Sequence, residues 1–211
     1  MDRSKVSEKT IRRLSHYSMC LRRATNAGIQ IITSSYLAQR CGISPAAVRK
    51  DLASYGDFGK QGSGYNVREL LASIEEILGT NRPPAVVVVG VGNIGRALLA
   101  SGLEGTGGYE YSAAFDTDPE LIGRTFSGVG VHPLSDIERV AGELGNFIAV
   151  VAVPEGRGQA AVDSVTKAGC RAVLSFTLEP IEVPENVMLR YVEVSTELDI
   201  LTHHMRRAEQ Q

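Results

Sequence analysis

Three glycines, Gly90, Gly92 and Gly95, with Val91, Asn93 and Ile94 between them, follow the apolar run Ala85–Val89 and open the helical stretch Arg96–Ser101. This strand–turn–helix setting makes a commonplace string specific. Gly90 permits the sharp turn, Gly92 lets a pyrophosphate approach the backbone, and Gly95 lets helix pack on strand. The phosphates would lie at the positive end of a helix. Asp116 closes the next strand-like run, Tyr111–Asp116, about 20 residues beyond Gly95. A carboxylate there accepts hydrogen bonds from adenosine ribose hydroxyls and repels a 2′-phosphate. Thr117 and Asp118 supply no arginine to offset that repulsion, so NAD(H) is expected over NADP(H). A Rossmann domain without a dinucleotide, or one holding S-adenosylmethionine or FAD, is the alternative.

Ala85–Gly90, Tyr111–Asp116, Phe147–Val153 and Ala172–Phe176 are apolar, strand-like runs alternating with helical ones. That alternation predicts an α/β domain on a parallel sheet. Loops at the carboxyl ends of its later strands approach the nicotinamide half of a dinucleotide, which makes Val153, Pro154 and Phe176 candidate contacts. Upstream, Gly79-Thr80-Asn81-Arg82-Pro83-Pro84 breaks the chain, because glycine ends helices and proline forces extended backbone. The expected modules are 1–80 and, from 81 on, the dinucleotide-binding domain.

The first module reads as helical. Ile11, Leu14, Tyr17 and Leu21 form one helix face, with Arg12, Arg13, Arg22 and Arg23 off it. Residues 34–52 have the pattern of a helix-turn-helix: small Ala38, Gly42 at the turn, and Leu37, Ile43 and Val48 as shared core. Ser44 caps the second helix and Pro45 suits its first position. Ala46 and Ala47 keep the entering end slim, and Arg49 and Lys50 project toward bases and phosphates. Tandem helices with a glycine turn also occur away from DNA. Beyond them, Tyr55–Val67 sets four glycines around Lys60 and Gln61, the composition of a β-hairpin wing or of a plain surface loop. The candidate contacts to double-stranded DNA are Ser44, Ala46, Arg49, Lys50, Tyr55, Lys60 and Gln61.

The formal charge of −2 over 211 residues hides a division. Residues 1–80 carry 12 Lys and Arg against 7 Asp and Glu, giving +5, and residues 81–211 carry 10 against 17, giving −7. A basic module joined to an acidic one assigns the polyanion to the first. Cys20, Cys41 and Cys170 show neither metal-ligand spacing nor a disulfide framework and are expected to be ordinary thiols. No apolar run approaches the roughly 18 residues that span a bilayer, and the N-terminus lacks a signal-peptide core, so a soluble cytoplasmic protein is expected. A dehydrogenase would need a positioned acid–base group. No Tyr-x-x-x-Lys occurs, and Lys167, His132, His203 and His204 sit in stretches that suit surface or packing roles. Sensing is expected rather than catalysis. An NAD-dependent oxidoreductase with a helical dimerisation arm, and a CoA- or nucleotide-binding module docked on a partner, remain the competing classes.

Over nearly its whole length the chain resembles the Rex family of redox-sensing transcriptional repressors. The likeness rests on Val48-Arg49-Lys50-Asp51-Leu52, on Gly59 with Gly62-x-Gly64-Tyr65-Asn66-Val67, and on Gly90–Gly95. Phe115-Asp116, Val153-Pro154, Glu182-Val183-Pro184-Glu185 and Glu197-Leu198-Asp199-Ile200-Leu201 extend it. The resemblance implies a winged helix joined to a Rossmann domain over 81–194, and a C-terminal helix, 195–211, that swaps between subunits. It further implies a homodimer on an inverted-repeat operator, released when NADH binds, with NAD+ competing. Four positions depart from the family pattern: Ser101 stands for tyrosine, Glu193 for aspartate, Ser175 for asparagine and Leu178 for proline.

Overall fold

The computed structural model describes residues 7–56, 58, 63–103 and 108–208. These form two compact units. One runs to Pro83 and includes Leu103, Gly108 and Tyr109, and the other comprises 84–102 and 110 onward.

The first unit comprises α1 (Glu8–Asn26), β1 (Ile31–Ile32), α2 (Ser34–Cys41), α3 (Pro45–Ala53), β2 (Tyr65–Asn66) and α4 (Val67–Leu78). Every helix here starts on a side-chain cap. Ser7 accepts from Thr10 N, Thr33 from Tyr36 N, Ser44 from Ala47 N, and Asn66 from Arg68 N and Glu69 N. Each such cap contributes about 1 kcal/mol. α2 ends at Gly42, whose φ of +65° is left-handed, and the chain re-enters α3 after a tight turn. Leu14, Tyr17, Leu21, Leu37, Val48, Leu52, Val67, Leu70 and Ile74 form the core. Ile11, expected on the buried face, is exposed, because it lies in the first turn of α1 beyond the elements that cover Leu14 and Tyr17.

Part of the hairpin expected over 55–67 falls on residues 57 and 59–62, outside the described residues. Tyr65–Asn66 pairs antiparallel with Ile31–Ile32, between α1 and α2, and no strand occurs in the described part of 55–58. Two-residue strands are too short to show an alternation. Lys60 and Gln61, with Gly59 and Gly62, lie outside the described residues.

The second unit is a sheet flanked by helices. Its elements are β3 (Ala85–Val89), α5 (Asn93–Ser101), β4 (Tyr111–Asp116), β5 (Thr125–Phe126), β6 (Val129–Pro133), α6 (Ile137–Leu144), β7 (Phe147–Val151), α7 (Gly158–Lys167), β8 (Ala172–Ser175), β9 (Met188–Tyr191) and α8 (Val194–Ala208). The strand order is β5-β6-β4-β3-β7-β8-β9, parallel throughout except for the β5–β6 hairpin. Leaving β5 aside, this is the doubly wound order in which chain direction across the sheet reverses between β3 and β7, and ligands bind where it reverses. The continuous apolar runs Ala85–Val89 and Phe147–Val151 suit central strands covered on both faces. Val87, Phe115, Ala149 and Val151 lie beneath Ile137, Val162 and Val165 on one side of the sheet. Val88 and Ala114 meet Leu99 on the other. Among the described residues no helix is long and apolar enough to cross a membrane.

Candidate functional site

Gly90 leaves β3 at φ +92°, and a side chain there would meet the carbonyl oxygen of Ala152 at 2.5 Å. That oxygen lies one residue past the end of β7, so the close approach of the chain leaving the neighbouring strand and the left-handed turn both demand glycine. A Cβ at Gly95 would run into the carbonyl oxygen of Gly90, a rigid neighbour. Gly95→Ala is expected to cost about 2 kcal/mol, read as a lower midpoint in urea unfolding.

These constraints fix the turn against the start of α5. Gly92 precedes that helix with no side-chain cap, unlike the four capped helices of the first unit. The amides of its first turn are therefore left for a ligand. α7, the neighbouring helix at this edge, starts differently. The Glu179 carboxylate accepts from Gly156 N at 2.6 Å and from Gly158 N at 2.5 Å, filling that N-terminus with a built-in anion. Of the two helix starts flanking the reversal point, only that of α5 is open to an external phosphate.

Asp116 sits at the tip of β4 and is locked on both oxygens. Oδ2 accepts from Val91 N at 2.6 Å, and Oδ1 accepts from Thr117 N and Asp118 N at 2.7 and 2.9 Å. Each oxygen keeps lone-pair capacity for a hydroxyl. The carboxylate thus ties the glycine turn to the next strand and offers an acceptor beside it.

A cleft of about 640 Å³ opens over these groups. Gly90, Gly92, Asn93, Ile94, Asp116, Val153 and Pro154 line it. Val91 does not: its side chain is buried beneath the turn while its amide faces Asp116. Gly95 is buried in the helix–strand contact, and Phe176 lies outside the lining, its amide bonded to Val151 O at 2.8 Å. Among the lining groups that sequence reasoning missed are Leu121 and Leu134, two apolar walls, and Arg157, the one cation among the described residues of the cleft. Arg157 carries no motif of its own. Its signal was its place just after a strand's carboxyl end.

Ser175 is fully buried, and its hydroxyl lies 2.8 Å from that of Thr177. Ser101 is exposed and donates to Leu98 O at 2.9 Å. Glu193 accepts from Thr196 at 2.8 Å at the start of α8, and Leu178 is exposed.

In the first unit α3 presents a polar face. Ser44, Ala46, Arg49 and Lys50 are exposed, whereas Val48, Asp51 and Leu52 point inward. Arg49 donates to Ser34 Oγ at 3.1 Å, which steers its guanidinium from the start of α2. Tyr55 is half-buried and packed against the core. The arginines of α1 are largely committed within the protein: Arg12 pairs with Glu8, Arg13 with Asp51 and Arg22 with Glu75. Arg49 and Lys50 on α3 are exposed cations of this unit, as are Lys9 and Arg23 on α1.

Two family models match. One, described as "Putative DNA-binding protein N-terminus", covers residues 5–53, and the other, a CoA binding domain, covers residues 81–179. A redox-sensing transcriptional repressor Rex from Desulfitobacterium hafniense is 40% identical over 206 residues, covering 97% of this chain and 98% of its own. The crystal structure of RSP, a Rex-family repressor, in complex with β-NAD+ and operator DNA superposes with a TM-score of 0.84 at 29% identity, covering 98% of this chain and 95% of that one. RSP in complex with β-NADH gives 0.81 at 27% identity, covering 98% and 97%. These relatives are named as repressors, regulators rather than enzymes, and the chain belongs to the Rex family of redox-sensing transcriptional repressors.

Proposed function

We propose that this chain binds an inverted-repeat operator in double-stranded DNA as a homodimer, and that NADH entering the cleft over β3 and β7 releases it while NAD+ competes for the same place. The observation that carries this reading is the cleft itself: an uncapped helix start, a locked carboxylate and one arginine around a turn where only glycine fits. The pyrophosphate would rest on the α5 amides with Arg157 as countercharge, and the adenosine ribose on Asp116. Val153 and Pro154 face the nicotinamide half. NADH and NAD+ share the first two sets of contacts, so discrimination falls to the nicotinamide end. There an apolar wall disfavours the charge that the oxidised ring carries. The ligand shifts the repressor only by its differential affinity for the released state.

On this reading α3 enters the major groove with Arg49 and Lys50 toward bases and phosphates and Ser44 and Ala46 at the entering end, and Lys60 and Gln61, outside the described residues, are further candidate contacts. Arg49→Ala is expected to weaken operator binding about tenfold, the lower part of the range for one base contact. Lys50→Ala should also lower the salt dependence by about 0.9 log unit, the slope carried by one neutralised phosphate. Operator affinity unaltered in both variants would remove α3 from the interface.

α8 supports the homodimer. Val194, Leu198, Leu201 and Met205 form one apolar stripe, each more than half exposed. A stripe of that length on a helix calls for a partner, and a second copy exchanging residues 195–211 supplies it. As a repressor of this kind the protein acts in the bacterial cytoplasm. Fluorescence anisotropy of a labelled inverted-repeat operator, titrated separately with NADH, NAD+ and NADPH, tests the whole reading. Release by NADH alone is expected; binding indifferent to all three would overturn it.

A further inference from the structure

The winged-helix unit holds two thiols that neither operator nor nucleotide binding uses. Cys20 lies on α1 and Cys41 ends α2, and their sulfurs are 4.0 Å apart. The spacing of 21 residues gives no hint of this proximity. Cys20 is buried and Cys41 is half-buried, so one of the pair is open to a small reagent and the other waits behind it. Cys170, the remaining cysteine, is buried in the other unit with its sulfur 3.2 Å from Ala172 O.

We propose that Cys20 and Cys41 are an oxidant-responsive dithiol that closes to an intramolecular disulfide under hydroperoxide, stapling α1 to α2 and weakening the grip of α3 on DNA. The chemistry balances in two steps. The Cys41 thiolate attacks one peroxide oxygen, the O–O bond breaks, and the leaving hydroxide takes up a proton as water, leaving a sulfenic acid. The Cys20 sulfur then attacks that sulfur, the S–O bond breaks, and hydroxide leaves with the Cys20 proton as a second water. Two electrons pass from the thiol pair to the peroxide.

Burial, reinforced by the neighbouring Cys20, pushes the Cys41 thiol up to about 12. Little thiolate is present at neutral pH, so closure is slow and the pair answers sustained oxidant rather than a brief pulse. A disulfide needs the sulfurs at about 2.05 Å, roughly 2 Å closer than they stand. Rotation of the side chains takes up part of that movement, and the C-terminal end of α2 must supply the rest. Leu37 and Ala38 of α2 share their core with Val48 of α3, while α3 is held to α1 by Arg13 and Asp51. Drawing α2 toward α1 therefore shifts one partner of the helix-turn-helix against the other, and moves Ser34 away from Arg49. This consequence rests on reading α3 as the recognition helix. The cross-link itself does not.

The test treats the reduced full-length protein with hydrogen peroxide, blocks remaining thiols by alkylation, and maps the digest by mass. Expected are a linked Cys20–Cys41 peptide lacking two hydrogens, alkylated Cys170, and operator binding about tenfold weaker, the size of one base-reading interaction, restored by dithiothreitol. Cys41→Ser, at the half-buried position, should bind operator normally and ignore peroxide, and Cys20→Ala should do the same. Oxidation of Cys41 to a sulfinic acid without a linked peptide would overturn the dithiol. A linked peptide with unaltered operator affinity would overturn the switch. Arg49→Ala run alongside separates that result from a wrong recognition helix, since its operator affinity would then be unaltered as well.

Discussion

Replacing Asp116 with alanine is expected to weaken NADH binding about 100-fold, measured by isothermal titration calorimetry, and to abolish NADH-driven release from the operator at ordinary ligand concentrations. Hydrogen bonds to a charged acceptor contribute about 1.5–3 kcal/mol each. Two ribose hydroxyls on one carboxylate, at the lower end of that range, give about 3 kcal/mol, which is about two powers of ten in affinity. Asp116 also accepts from Val91 N, Thr117 N and Asp118 N, so its loss frees the glycine turn as well as the ribose. Asn is not a conservative replacement here. Both carboxylate oxygens face backbone N–H donors, and an amide nitrogen turned to either side would set donor against donor. Asp116→Asn should therefore bind about tenfold more weakly than wild type, from the loss of one good hydrogen bond. Unaltered affinity in both variants would mean that the dinucleotide does not lie across β4, and the cleft would need another occupant.

The parts of this site that the sequence made legible are those in which one short segment carries the whole constraint. Gly90, Gly92 and Gly95 announce themselves because turn, phosphate approach and helix packing fall within six residues behind an apolar run. Ser44, Pro45 and Gly42 do the same for the turn between α2 and α3. The even apolar texture of Ala85–Val89 and Phe147–Val151 revealed the central strands. β5, β6 and β9 were harder to see, β5 and β9 being short and at the sheet edges and β6 lacking an apolar run: Val129–Pro133 contains a histidine and ends in proline. Pairings across long sequence distances left no trace at all. Glu179 fills the α7 start from 21 and 23 residues away, and Arg13 reaches Asp51 across 38 residues. A carboxylate in a loop and an arginine on a helix look like solvated surface until the fold brings their partners to them.

The Asp51 constellation matters most for stability. Asp51 takes Arg13 Nε at 2.6 Å, Arg13 Nη2 at 2.7 Å and the Tyr17 hydroxyl at 2.8 Å, and the Tyr17 side chain is wholly buried. Asp51→Ala leaves that hydroxyl without its acceptor and the guanidinium without its counterion. The Arg13 side chain is 23% exposed, so water recovers part of its charge. The expected cost is about 3 kcal/mol, the low end for breaking a buried pair, read as a lower unfolding free energy in urea. The pH dependence follows from the same geometry. Burial alone would raise the Asp51 carboxyl, but the hydrogen bonds from Arg13 and then Tyr17 outweigh it and hold the group below the ordinary carboxylate range. Its contribution is therefore complete above the unfolded value of about 3.9 and is lost as pH falls through the lower folded value. Wild type should lose stability more steeply than Asp51→Ala in that acid window, and the two curves should converge below it. Parallel curves would mean that the carboxylate charge contributes nothing to the fold. Asp51 lies next to Lys50 and two residues from Arg49 on α3, so the same bonds that stabilise the unit also set the angle at which these cations are presented. Asp51→Ala should thus weaken operator binding under conditions where the variant is still fully folded, although the Asp51 side chain itself is buried.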